Sequence, residues 1–101
     1  ANDTRRVDMS VGVAYGTDLK KAREIIEGIL NADEKVLNDP PYIVAVDSLD
    51  DSAITILVRP WVKSEDYWDV KWRTMELLNN RLTEAGIEIP FPQMSVHIQK
   101  G

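Results

Sequence analysis

Tyr42-Ile43-Val44-Ala45-Val46-Asp47-Ser48-Leu49-Asp50-Asp51-Ser52-Ala53-Ile54-Thr55-Ile56-Leu57-Val58-Arg59-Pro60-Trp61-Val62 is the stretch that decides the fold. Its first eight residues are mostly β-branched or apolar, with Val44 and Val46 on one face and Ile43, Ala45 and Asp47 on the other. That is the two-residue period of a strand. Asp50-Asp51-Ser52 is a turn cluster, after which Ile54, Ile56 and Val58 alternate with Thr55, Leu57 and Arg59. The two strands therefore form an antiparallel hairpin. Pro60 has no N–H to give to a ladder, so it must sit at a bulge or past the paired part.

A helix flanks the hairpin on each side. Upstream, Val7, Met9, Val11, Val13 and Tyr15 alternate with Asp8, Ser10, Gly12 and Ala14 as a first strand with one buried face. Gly16-Thr17-Asp18 then offers a turn glycine and two capping oxygens before Leu19, Ala22, Ile25, Ile26, Ile29 and Leu30 recur at helical spacing. This predicts a helix over residues 18–32. Asp33-Glu34 caps a short turn that buries Val36 and Leu37, and Asn38-Asp39-Pro40-Pro41 ends it.

Downstream, Ser64 with Glu65 and Asp66 reads as a cap plus two acids where the helix dipole favours them. The second helix is expected to bury a stripe of Trp68, Trp72, Met75, Leu78, Leu82 and Ala85, and to stop at Gly86. From Gly86 to Met94 the chain reads as a connector stiffened by Pro90 and Pro92, leading into a fourth alternating strand over residues 93–99. The order βαββαβ gives an α+β, ferredoxin-like fold with an antiparallel sheet and two helices on one face. Residues 1–5 are set aside as a disordered or extraneous tail, 6–92 form the domain, and 93–101 hold the terminal strand.

The 101 residues suffice for one domain. Twelve basic residues against 17 acidic ones give a net charge of -5, which opposes binding by phosphate neutralisation. No nucleic-acid partner is expected. Without cysteine there is no disulfide, thiol nucleophile or thiolate metal site. No run reaches the roughly 20 apolar residues that span a bilayer, and no signal-peptide pattern opens the chain, so this stretch is expected to be soluble.

Catalytic chemistry finds no footing. His97 is the lone histidine, and no spacing supplies it with an acid and a nucleophile. Asp50-Asp51 suits a hard cation or a carboxylate hydrolase only weakly, since paired acids are ordinary in a hairpin turn. Tyr67, Trp68 and Trp72 with Trp61 suit an aromatic ligand platform, but the one-turn spacing of Trp68 and Trp72 makes core or domain-interface packing the default reading. No catalytic, cofactor or metal residue is assigned. RNA-recognition domains of this topology need aromatic and basic strands, and these strands are aliphatic. A ligand-sensing regulatory module of ferredoxin-like fold is the alternative that physics leaves open.

One resemblance covers nearly all of residues 5–99. Gly12-Val13-Ala14-Tyr15 with Thr17-Asp18, Val58-Arg59-Pro60-Trp61, Trp72, and Gly86-Ile87 through Phe91-Pro92-Gln93-Met94 resemble the carboxy-terminal cytoplasmic domain of the small-conductance mechanosensitive channel (MscS) family. The last run is the most specific. The resemblance implies a homoheptameric channel of a bacterial inner membrane, with this domain on its cytoplasmic side, opened by tension and releasing small solutes on osmotic downshock. It also implies that these domains form a vestibule with lateral portals, without catalysis or cofactor. Its partners would be copies of itself, with the membrane reached only through upstream pore helices. Phe91, Pro92, Gln93, Met94, Ser95, Val96, His97, Ile98 and Gln99 would be the segment that joins a shared barrel, one strand per subunit.

Overall fold

The computed structural model describes residues 3–90 and is α+β, with antiparallel strands and two helices. The strands are β1 (Thr4–Arg6), β2 (Met9–Val13), β3 (Ile43–Leu49), β4 (Ile54–Arg59) and β5 (Trp61–Lys63). The helices are α1 (Leu19–Ala32) and α2 (Tyr67–Glu84), the second entered through a 3-10 turn at Ser64–Asp66. Among the described residues the sheet order is β2-β4-β3, and β1 pairs separately with β5. The fourth strand expected over residues 93–99 lies outside the described residues.

The hairpin forms as its alternation requires. Val44 lies opposite Val58 and Val46 opposite Ile56, and a bulge at Asp47 then shifts the register so that Leu49 meets Ile54. Across β4, Met9, Val11 and Val13 face Val58, Ile56 and Ile54. Ile54, Ile56, Val58, Met9 and Val13 are buried, and together with Ala22, Ile26, Ile29 and Leu30 of α1 they build the core beneath the helices.

The strand expected after the hairpin turn is interrupted, and the strand expected from Val7 starts instead at Met9 with a further short strand before it. Pro60 separates β4 from β5, and Val7-Asp8 separates β1 from β2. The register carries through: Arg6 lies opposite Trp61 and Met9 opposite Val58, while the Val7 N–H donates to the Pro60 carbonyl at 2.8 Å. The two pairs are thus one ribbon, broken where proline withholds its donor. Of the tail set aside as residues 1–5, Thr4 and Arg5 need correcting accordingly, because Thr4–Arg6 is strand. At the other end Tyr15 is not on a buried face; it lies past β2, half exposed, and its hydroxyl donates to the Asp50 carbonyl.

α1 begins as its cap predicts, the Asp18 carboxylate accepting from the Lys21 N–H at 3.2 Å after Gly16 turns at φ +89°. α2 does not. Ser64 opens the 3-10 turn with its N–H bonded to the Asp3 carbonyl at 2.6 Å, and no side chain caps the helix.

The buried stripe of α2 is also rotated from expectation. Val70, Thr74, Leu78 and Leu82 face the core, whereas Trp68, Trp72 and Met75 are 51%, 63% and 43% exposed. Only the carboxy-terminal half of the expected stripe is inward. Thr74 is fully buried and its hydroxyl has no hydrogen-bond partner. An unpaired buried hydroxyl is costly, and valine has nearly the same shape. Thr74→Val is therefore expected to raise stability by about 1 kcal/mol, read as a higher urea midpoint at unchanged slope.

Candidate assembly surface

The residues singled out from sequence for assembly, Phe91, Pro92, Gln93, Met94, Ser95, Val96, His97, Ile98 and Gln99, lie outside the described residues. What the structure defines is the platform from which they depart. α2 ends in a Schellman turn: Gly86 takes φ +81°, its N–H bonds the Thr83 carbonyl at 3.0 Å, and the Ile87 N–H bonds the Leu82 carbonyl at 2.9 Å. Leu82 and Ile87 are both buried, which supplies the apolar contact this turn requires.

The connector is then fastened to the body. The Glu88 carbonyl accepts from the Ala14 N–H at 2.9 Å, just past β2, and Ile89 packs on the core. Lys21 of α1 reaches the Ala85 carbonyl at 3.4 Å, placing a cation at the carboxy-terminal end of α2. Up to Pro90 the path is thus set by tertiary bonds as well as by proline stiffness. Gly86→Ala, which places a Cβ on a left-handed backbone, is expected to cost about 1 kcal/mol. A thermal melt indistinguishable from wild type would show that the turn tolerates another conformation.

A second feature is the outward face of α2, which carries an aromatic ladder. Tyr67 and Trp68 meet edge to face at 4.9 Å, and Trp68 and Trp72 lie 5.5 Å apart. The Arg5 guanidinium sits 3.9 Å over the Tyr67 ring, and the Lys71 ammonium lies 5.3 Å from Trp68. Each such contact contributes only about 0.5–1 kcal/mol in the open. Their joint effect is to hold large apolar surface in one place while it faces solvent. Arg5 belongs to the stretch set aside as tail; no local pattern could have paired it with Tyr67, 62 positions away in the chain.

The charged groups explain themselves structurally. The Asp50 carboxylate accepts from Thr55 Oγ1 at 2.6 Å and from Ser48 Oγ at 3.1 Å, which closes the hairpin turn. Asp8 sits between Arg6, at 2.6 Å, and Arg59, at 3.7 Å. The hydrogen bond from Arg6 holds its carboxyl below the usual carboxylate range, with both guanidinium charges assisting and burial opposing. Among the described residues no three histidine, cysteine, aspartate or glutamate side chains are placed to hold a metal ion. No described helix is long and apolar enough to cross a membrane.

Comparison with known proteins points one way. A family model described as mechanosensitive ion channel MscS, C-terminal, matches residues 7–89. An uncharacterized MscS family protein of Archaeoglobus fulgidus is 40% identical over 96 residues, 95% of this chain and 34% of that protein. A small-conductance mechanosensitive channel of Edwardsiella ictaluri is 34% identical over 94 residues, 93% of this chain and 33% of the channel. The crystal structure of Helicobacter pylori MscS in its closed state superposes with a TM-score of 0.84 at 28% identity, over 91% of this chain and 37% of that one. The chain spans about a third of the length of the curated relatives it matches.

Proposed function

This chain belongs to the MscS family of mechanosensitive channels, matching its carboxy-terminal domain, and from that premise we propose that it serves as a wall element of the channel's cytoplasmic vestibule. In this reading it assembles with copies of itself as a homoheptamer on the cytoplasmic side of a bacterial inner membrane. The pore, carried by the remainder of a longer chain, opens under tension and releases small solutes on osmotic downshock.

The domain's part is support and filtering, without turnover. The observation that carries the reading is the family match over residues 7–89, on a body that fastens its connector at Glu88 and Ile87 before the segment assigned to the shared barrel. A fastened connector delivers that segment from a fixed point, which a closed ring of strands needs. The net charge of -5 gives the vestibule wall an acidic bias, felt by passing ions within about 10 Å at 0.1 M salt.

The test is a chimera in which these 101 residues replace the matching domain of the Helicobacter pylori channel, expressed in cells deprived of their own mechanosensitive channels. Tension-gated currents in membrane patches and survival of downshock are expected. A chimera that reaches the membrane but forms no ring and passes no current, where the parent does both, would defeat the proposal.

A further inference from the structure

Two exposed apolar faces stand apart on this domain, one rimmed on one side by cations and the other bordered by acids. One is the α2 ladder, where Trp68, Trp72 and Met75 lie open beside Arg5 and Lys71. The other is the edge strand β3 with its turn. There Val46 is 40% and Leu49 69% exposed, Asp47 stands at the bulge, and Asp50 and Asp51 follow. No lysine or arginine occurs between Pro41 and Val58.

Their placement follows from the topology. β2 and β3 are opposite edges of the three-stranded sheet; α1 packs beside β3, and α2 beside β2 and β5. Arg73 reaches from α2 to Asp33 at the end of α1. At about 100° per residue, Trp68 and Met75 fall on the far flank of α2 from Arg73. The acids nearest the ladder, Asp69 and Glu76, fall between, toward Arg73, so the cations rim the outer side.

We propose that the aromatic face of α2 in one copy docks on the β3 edge and Asp50-Asp51 turn of the next copy. This rests on the self-assembly reading above and names the surfaces that meet. A face complementary to a different face of the same molecule makes a head-to-tail contact, which closes into a ring when the rotation permits. Tryptophans supply the buried anchors such contacts need, and the charge match of Arg5 and Lys71 with Asp47, Asp50 and Asp51 sets register more than affinity. The same contact covers an edge strand that otherwise invites irregular pairing.

The experiment mixes two variants of the 101-residue chain, Trp72→Glu and Leu49→Glu, each disabling one face at an exposed position. Sedimentation over a concentration series to about 1 mM, the weak end of specific association, is the readout, with circular dichroism confirming the fold. The wild-type chain is expected to form species beyond monomer, more so at low salt. Each variant alone should associate about tenfold more weakly or worse, which is the loss of one anchor. Their mixture should give a 1:1 dimer and nothing larger, since only one intact face remains on each partner. If either variant alone still associates as well as wild type, these two faces do not carry the contact and the proposal fails. A wild-type chain that stays monomeric throughout also overturns it. In that case a chimera that still forms rings and conducts would leave the vestibule reading standing.

Discussion

Leu78→Ala is expected to lower the unfolding free energy by about 3 kcal/mol, while Trp72→Ala lowers it by less than about 0.5 kcal/mol. The contrast runs against side-chain size. Leu78 is 1% exposed, among buried residues of both helices and the sheet, so truncation leaves a cavity as well as losing transfer energy. Trp72 is 63% exposed, and most of its surface is in water in the folded and unfolded chain alike. Urea unfolding of both variants at a concentration where the chain is monomeric decides the matter. At about 4–8 °C per kcal/mol for a domain of this size, the two should also melt more than about 10 °C apart. Equal losses would mean that the tryptophan stripe is core after all.

Asp33→Ala is expected to cost about 2 kcal/mol, the next largest effect. Asp33 follows α1, and its carboxylate accepts from Arg73 of α2 at 2.9, 3.0 and 3.0 Å and from the Lys35 N–H at 3.0 Å. Its side chain is 6% exposed against 44% for Arg73. The aspartate end therefore weighs more than an open surface pair, and the arginine's exposure tempers the total. A double-mutant cycle with Arg73→Ala should return a coupling of about 1–2 kcal/mol. Strict additivity would reduce this fork to a surface pair of no consequence. The coupling ties α2 to the end of α1 on the flank away from Trp68.

Much of this body could be read from local pattern. The hairpin, the Asp18 cap of α1 and the Gly86 stop of α2 each depend on residues within a few positions of one another, where period, capping oxygen and positive φ act directly. What failed was decided at a distance. Trp68 and Trp72 are the most apolar-looking residues of α2, yet the stripe through Val70 and Thr74 has the same period, and only the packed neighbours choose between them. Ser64 carries a good capping side chain, but it lies inside the 3-10 turn that precedes α2, and α2 itself starts only at Tyr67. Thr4–Arg6 is too short to announce itself as strand; it exists because Trp61–Lys63 offers a partner.

By itself, then, the sequence determined the βαββα body, its α+β class and its family, because alternation, helical period and short motifs are written in adjacent residues. Tertiary structure alone decided the single interrupted ribbon at Pro60, the roll of α2 that leaves an aromatic ladder in solvent, the Asp33–Arg73 fork and the anchoring of the connector at Ala14. Each of these joins residues far apart in the chain. Their energies appear only once the core has placed both partners, so no local pattern records them.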